Sequence, residues 1–119
     1  MAESNWDEDV VLDPEHLRGF SGGDTDFEAQ ILGVFAEKAP DYLVDLAGAD
    51  ASSWRSYAHK LKGAARSIGA WRLARQAERA EHQDDVHDDD ARKAEVLREL
   101  NTRLQQLLDA IKERGCEAG

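Results

Sequence analysis

The residues with the clearest capacity for chemistry lie around His59, in the run from Tyr57 to Ala65. On a helix, at about 100° per residue, Lys62 and Arg66 fall on the same face as His59. The apolar residues fall on the opposite face: Trp54, Tyr57, Ala58, Leu61, Ala64, Ala65 and Ile68. We therefore predict a helix with one face in a core and a second, cationic face on which His59 points at water.

Gly63 lies one helical turn after His59, in the middle of this predicted helix. Glycine there costs about 1 kcal/mol relative to alanine, and it removes a side chain from the surface beside the ring. This indicates that something bulky approaches the imidazole. A neutral imidazole is a nucleophile near pH 7, and a phosphoryl group on it would be stabilised by Lys62 and Arg66. Because the face is open to water, the pattern favours handing a group to another protein's pocket over hydrolysis.

The run Ala58-His59-Lys60-Leu61-Lys62-Gly63, followed by Ile68-Gly69-Ala70, Leu73 and Ala80-Glu81, resembles the signature of histidine phosphotransfer (HPt) domains of bacterial multistep phosphorelays. The resemblance implies a four-helix bundle, phosphorylation of His59 on Nε2, receiver domains as partners and no kinase activity of its own. It places the phosphohistidine at His59, the family's lysine at Lys62 and its small residue at Gly63. Ala80 departs from the pattern, because many members carry leucine before the glutamate; the departure concerns packing of the last helical turn.

Glu81 can also be identified as a candidate partner of His59 without the family resemblance. Gly69 ends the His59 helix, and Ala70 to Gln83 is predicted as a second helix, antiparallel to the first across a short turn. Reflection through that turn brings positions 80–81 beside His59. A carboxylate there could accept a hydrogen bond from Nδ1–H and leave Nε2 as the nucleophile. Glu78, one turn earlier, is the rival for this role, and a solvated glutamate without a role is the alternative.

The fold prediction is all-α: an antiparallel up-down four-helix bundle with a short extra N-terminal helix. Residues 13–115 form the bundle, 1–12 an acidic and mobile N-terminal tail, and 116–119 a C-terminal tail, although Trp6 and residues 10–12 could dock on the bundle. The first helix begins at Asp13-Pro14 and the second at Asp24 or Thr25, where Thr25 and Glu28 have capping-box spacing.

Further helix limits follow from proline, glycine and aspartate. Pro40 predicts a kink or short break near Ala39. Asp50 is predicted to cap the His59 helix, and the last helix is predicted from Ala91 to Arg114, ended by Gly115. The core stripe predicted for the second helix is Phe27, Ile31, Val34, Phe35, Tyr42, Leu43 and Leu46, and that for the last helix is Val96, Leu97, Leu100, Leu104, Leu107, Leu108 and Ile111.

Composition and charge limit the partners. The net charge of −10 argues against nucleic acid and anionic membranes. Residues 51–79 hold seven basic residues against Glu78 alone, a net charge of +6, so the remainder carries −16. A basic patch suits an acidic pocket, such as the one that the family resemblance implies for receiver domains; alternatively, about half of these cations pair with acids on neighbouring helices. Three long apolar stripes that satisfy one another favour a monomer.

The chain lacks an apolar run of membrane-spanning length and a basic-then-apolar amino terminus, and Cys116 is its single cysteine. These features favour a cytoplasmic protein in a reducing compartment. No glycine-rich nucleotide-binding loop occurs in the sequence, so we expect no kinase activity and no cofactor of its own.

Together these features predict a phosphoryl shuttle between aspartyl-phosphate receiver domains, carried by phospho-His59. Lys62 would stabilise the phosphoryl group, Gly63 would give access, Glu81 would orient the ring, and Arg66 is a weaker candidate for contact. Mg²⁺ is expected on the partner receiver rather than on this chain.

Three alternatives stay open. The chain could be an HPt-like domain phosphorylated directly by a kinase ATP domain, as a piece excised from a longer kinase. It could be a non-catalytic helical adaptor that binds a partner through its basic face. The third is a metal-binding bundle, since His82 and His87 lie among five aspartates: Asp84, Asp85, Asp88, Asp89 and Asp90. That spacing matches no known site, and we predict no metal.

Overall fold

The computed structural model describes residues 7–50, 52–82 and 90–118, and it does not describe the side chains of Asp90 and of residues 115–118. These residues form five α-helices and, over the described ranges, no strand. The helices are α1 (Pro14–Ser21), α2 (Thr25–Ala47), α3 (Trp54–Ser67), α4 (Trp71–Glu81) and α5 (Asp90–Ala118). Over the residues described, no helix is both long and apolar enough to cross a membrane.

Helices α2 to α5 form a four-helix bundle in which α2 and α4 each pack against both α3 and α5, while the short α1 packs on α2. Residue contacts give the directions. Glu28 at the start of α2 pairs with Arg114 near the end of α5, and Trp54 at the start of α3 meets Ala80 near the end of α4. Both pairs of helices are therefore antiparallel. The predicted all-helical bundle with an extra N-terminal helix is confirmed.

Small side chains dominate the contact between α3 and α4. Ala58 and Ala65 of α3 and Ala74 and Ala77 of α4 are fully buried, which lets the two helices approach closely. The larger buried core side chains are Leu17, Leu32, Phe35, Leu46, Trp54, Leu61, Ile68, Leu73, Val96, Leu100, Leu104 and Leu107. The apolar stripe predicted on α5 therefore faces the core.

The predicted core stripe of α2 is wrong at two positions. Phe27 is 41% exposed and Val34 is 52% exposed. The buried stripe contains Leu32 and Ala39 instead, and Phe27 and Val34 each lie about 120° or more from these two residues around the helix. The apolar character of these α2 residues does not by itself show which of two overlapping apolar stripes packs against the other helices.

Helix α2 begins at Thr25, within the predicted start, but the side-chain capping of α2 and α3 differs from prediction. The carboxylate of Asp24 caps α2 by accepting a hydrogen bond from Phe27 N at 3.0 Å. Glu28, predicted as the partner in a capping box, is buried and binds the Ser21 hydroxyl and Arg114. Asp50 accepts hydrogen bonds from the backbone N–H and hydroxyl groups of both residues 52 and 53, so it orders the turn before α3 rather than capping the helix itself.

Neither the short break allowed near Ala39 nor the helix end predicted at Gly115 is present. Helix α2 continues through Pro40 without a break. Proline removes one helical hydrogen bond, but Phe35 and Ala39 before it and Leu46 after it are all buried, so core packing holds both halves of the helix. Helix α5 likewise continues through Gly115 to Ala118, because glycine weakens a helix without forbidding it. In contrast, α4 ends at Glu81, before the predicted end.

The described part of the predicted tail contacts the bundle. Val11 and Leu12 pack against the core, and the backbone carbonyl of Val10 accepts a hydrogen bond from Arg72 N at 2.9 Å. Glu8 forms ion pairs with α4 and α5. Docking of residues 10–12, the alternative allowed by their apolar character, is therefore seen; Trp6 lies outside the described residues.

Candidate functional site

His59 lies at the middle of α3, and its side chain is 65% exposed. The opposite face of the helix is in the core, where Trp54, Ala58, Leu61 and Ala65 are buried. The helical spacing of these apolar residues therefore turns the imidazole outward, as the sequence predicts.

The position of α4 beside His59 depends on Trp54. Its buried indole N–H donates a hydrogen bond of 2.8 Å to the carbonyl oxygen of Ala80. This bond ties the first turn of α3 to the last turn of α4, one residue before Glu81. The core position of Trp54 follows from the sequence, and a buried indole N–H requires an acceptor, but the sequence alone does not identify Ala80 as that acceptor.

The Glu81 carboxylate contacts both His59 and Lys62, the two side chains that the sequence singles out. Its Oε1 lies 2.9 Å from His59 Nδ1, and its Oε2 lies 2.6 Å from Lys62 Nζ. A carboxylate oxygen only accepts, so Nδ1 carries the ring proton in this contact. In the neutral imidazole Nε2 then has a free lone pair. The rival candidate Glu78 pairs with Arg75 on its own helix instead.

The pKa of Glu81 reports the balance of forces at this contact. Burial raises it, but the hydrogen bonds and positive charges of Lys62 and His59 outweigh burial and hold the pKa below its usual value. Glu81 is therefore a carboxylate at neutral pH, able to accept from both partners at once.

Lys62 is more enclosed than an open cationic face would suggest. Its side chain is 17% exposed, and its ammonium group is held by Glu81. An ammonium group has three N–H donors, so binding to Glu81 leaves donors for a further acceptor. Lys62 thus lies on the same side of α3 as His59, but it is positioned by α4.

Gly63 has no packing reason to be glycine. A Cβ built there meets no atom within 4 Å, and the residue is exposed. The surface next to the imidazole is therefore open, and the helix accepts the low helix propensity of glycine without any gain in contacts within the chain.

The predicted basic patch divides into two groups. Arg55, Lys60 and Arg66 are exposed on α3, and no ion pair joins them to another residue in the part of the chain that the structure describes. Arg72, Arg75 and Arg79 instead contact Glu8 on another side of α4. Arg66 makes no contact with His59, so the candidate site consists of His59, Lys62, Gly63 and Glu81.

Comparison with known protein families gives one match, in which the model of the Hpt domain covers residues 30–114, more than two thirds of the chain. The chain belongs to the Hpt domain family. No match was found among curated proteins or among solved structures. Hpt domains carry phosphoryl groups in phosphorelays and interact there with receiver or kinase partners. Family membership therefore agrees with the exposed histidine, while the roles of individual residues and the partners stay predictions.

The structure describes only the two ends of the aspartate-rich segment of this Hpt domain. His82 is exposed at the end of α4, while His87, Asp84, Asp85, Asp88 and Asp89 lie outside the described residues. Among those that are described, no group of three or more His, Cys, Asp or Glu side chains is suited to hold a metal ion.

Proposed function

We propose that this Hpt domain shuttles a phosphoryl group between aspartyl-phosphate receiver domains through Nε2 of His59. The observation that carries the proposal is the hydrogen bond between His59 Nδ1 and Glu81, at 2.9 Å, on a ring that is 65% exposed. It leaves Nε2 as the free nucleophilic atom on the side of the ring away from α4. An exposed ring suits transfer between two proteins, since each receiver must bring its own carboxylate to the same nitrogen.

In the proposed step, the Nε2 lone pair attacks phosphorus in line while the bond between phosphorus and the aspartyl oxygen breaks. The N–P bond forms, the receiver regains a carboxylate, and the Nδ1 proton stays in its hydrogen bond to Glu81. The reverse step passes the group to a second receiver. Mg²⁺ bound by the receiver and the Lys62 ammonium group would neutralise charge on the phosphoryl oxygens.

Gly63 and Glu81 have supporting roles in this proposal. The missing side chain at Gly63 admits the receiver surface to the ring, and Glu81 fixes the ring orientation and the tautomer. Arg66, which is exposed two turns after His59, would contact the receiver at the edge of the interface rather than the phosphoryl group.

Phosphotransfer from a panel of radiolabelled phospho-receivers tests the proposal. We expect wild type to gain an acid-labile, base-stable label and His59→Gln to gain none. The matched control is His82→Gln, which changes another exposed histidine and should be labelled like wild type. A label that persists in His59→Gln would refute the proposal, and so would partner function that survives this substitution, as the adaptor alternative predicts.

The supporting residues give graded outcomes in the same assay. Lys62→Ala should slow transfer by roughly a hundredfold, the order of magnitude for loss of one charge-stabilising donor, and should stay folded. Glu81→Ala should reduce the rate less than His59→Gln does. An unchanged rate would remove Glu81 from the mechanism, and unfolding of Lys62→Ala would show that Lys62 has a structural role instead.

A kinase ATP domain is the second candidate donor, because the same contact between His59 and Glu81 would also serve attack on the γ-phosphate of ATP. Incubation with labelled ATP and candidate kinases, with and without phospho-receivers, separates the two donors. Label that arrives only from a kinase would assign the chain to the direct-phosphorylation alternative.

A further inference from the structure

The outer groove between α4 and α5 contains a cluster of guanidinium groups that phosphotransfer does not use. We call it the arginine cradle: Arg72, Arg75 and Arg79 of α4 and Arg103 of α5. The groups converge on Glu8. Arg79 pairs with Oε1, Arg103 Nη2 lies 3.2 Å from Oε2, and Arg75 Nε lies 4.0 Å from Oε1.

The bundle itself holds the cradle in shape. Arg103 Nε donates to Glu99 at 2.8 Å and its Nη1 donates to the carbonyl of Arg72 at 2.9 Å, so only Nη2 is directed at Glu8. Arg72 Nη1 donates to Gln106 at 3.0 Å. Arg72 and Arg103 are thus positioned by helix residues, whereas the carboxylate that Arg75, Arg79 and Arg103 face comes from a segment outside the four helices. Arg72 Nε donates to the backbone carbonyl of Glu8 instead, at 2.8 Å.

Charge balance explains why an anion is needed there. Arg75 is 16% exposed and Arg103 is 13% exposed, and enclosed charges are costly unless they are paired. Glu78 and Glu99 are helix carboxylates that pair with Arg75 and Arg103. Glu8 adds a carboxylate from outside the helices, and Arg79 and Arg103 overcome the effect of burial and hold its pKa below the usual value.

The cradle lies away from the proposed transfer site. Arg79 and Glu81 are two positions apart on α4, so their side chains leave the helix about 200° apart. Glu81 faces α3, and Arg79 faces residues 7–10. The cavity at the cradle, about 140 Å³, shares Glu99 and Thr102 with a larger groove of about 630 Å³ that continues along α5 past Arg98 and Arg92. Glu8 and Asp9 therefore line one end of an open, polar groove.

We propose that the arginine cradle is an oxyanion-binding site, for a carboxylate or a phosphate, and that Glu8 is its resident ligand in the free protein. The amino-terminal segment is held on the bundle by this carboxylate, by the core packing of Val11 and Leu12, and by hydrogen bonds from Arg72 to the backbone carbonyls of Glu8 and Val10. An oxyanion supplied from outside binds at the cradle when the Glu8 carboxylate is absent or displaced. The site is a binding site and has no part in the chemistry at His59.

Chemical rescue tests the site in the full-length chain. Glu8→Ala removes the carboxylate and leaves the four guanidinium groups. The probes are sodium acetate and sodium phosphate, each compared with sodium chloride at equal ionic strength, and the readout is the thermal unfolding midpoint. Glu37→Ala removes an exposed glutamate of α2 and is the matched control.

We expect acetate, phosphate or both to restore at least half of the midpoint lost in Glu8→Ala, in a saturable manner. Phosphate stabilises any folded variant by exclusion from the protein surface, so the rescue is the increase in midpoint beyond that seen in wild type and Glu37→Ala with the same salt. Which anion rescues distinguishes a carboxylate ligand from a phosphate ligand. Adding Arg103→Gln to Glu8→Ala should abolish the rescue.

Two results would overturn the proposal. The first is a midpoint of Glu8→Ala that changes equally in chloride, acetate and phosphate, which would show that the salts act only by screening charge. The second is a rescue of the same size in the double variant. If Glu8→Ala does not fold in chloride, recovery of the fold in acetate or phosphate supports the site, and failure to recover in both overturns it.

Discussion

Gly63 is the position at which stability and phosphotransfer are expected to change in opposite directions. It lies inside α3, where alanine is the better helix former by about 1 kcal/mol. A Cβ at this position meets no atom within 4 Å, so Gly63→Ala introduces no clash that offsets this gain. The added methyl group instead stands beside the imidazole, where the receiver must approach.

The magnitudes follow from these two effects. Gly63→Ala should raise the unfolding free energy by about 1 kcal/mol, which for a domain of this size raises the unfolding midpoint by roughly 4 °C. Transfer should slow by roughly tenfold in Gly63→Ala and roughly a hundredfold in Gly63→Leu, because a displacement on the order of 1 Å disrupts an in-line geometry. Leucine is nearly as good a helix former as alanine, so the larger loss would come without loss of the helix.

Gly33 provides the matched control. It is an exposed glycine inside α2, and a Cβ there also meets nothing within 4 Å. Gly33→Ala should therefore give the same gain in stability while leaving the transfer rate at the wild-type value. Urea denaturation measures the first quantity, and single-turnover transfer from a labelled phospho-receiver measures the second.

Two results would refute this reasoning. If Gly63→Leu transfers phosphate as fast as wild type, the space beside His59 is not used by the receiver. If Gly63→Ala is less stable than wild type while Gly33→Ala is more stable, the glycine serves the fold of α3 rather than access to the ring.

Three further changes test the contacts around the site. Glu81→Gln removes a carboxylate whose folded pKa lies below its ordinary value of 4.5, so the variant should be less stable than wild type above pH 4.5. Urea denaturation at several pH values should show this difference in unfolding free energy disappear as the pH falls through the folded pKa, and a difference that grows on acidification would contradict the ion pair. Trp54→Phe leaves the buried carbonyl of Ala80 without its donor and should cost about 1–3 kcal/mol in chemical denaturation; an unchanged free energy would show that the bond does not hold the helices together. Gly69→Ala places a Cβ 3.0 Å from that of His16 at a φ of 77°, and should lower the unfolding free energy by at least about 1–2 kcal/mol, whereas an unchanged thermal midpoint would show that the turn relaxes freely.

Much of the site could be predicted because it depends on local periodicity. The helical spacing of Trp54, Ala58, Leu61 and Ala65 determines which face of α3 is buried, and His59 must then point outward. The short turn at Gly69 makes α3 and α4 antiparallel. Reflection through that turn is then enough to bring Glu81 close to His59.

Predictions were weaker where the outcome depended on how several helices meet. Phe27 and Val34 are as apolar as the residues that are buried, yet the packing of α3 and α5 selects the stripe that contains Leu32 and Ala39. Likewise, Pro40 predicts an interruption from local chemistry alone, and burial on both sides of it keeps α2 continuous.

The cations show the same limit in the electrostatics. Seven basic residues between positions 51 and 79 predicted one basic patch, but their side chains leave two helices in different directions. Arg72, Arg75 and Arg79 meet Glu8, a partner more than sixty residues away in the chain. No local pattern contains a contact over that distance.

The amino-acid sequence by itself determined the helical class, the buried face of α3, and the exposure of His59 beside Lys62 and Gly63, because each of these depends on spacing along one helix. Only the tertiary structure decided that one Glu81 carboxylate binds both His59 and Lys62, and that Glu8 fills the arginine cradle. The Glu81 contacts depend on the distance and rotation between α3 and α4, which the close packing of buried alanines and the Trp54 hydrogen bond set in three dimensions. The Glu8 contacts depend on how the segment before α1 docks on α4 and α5.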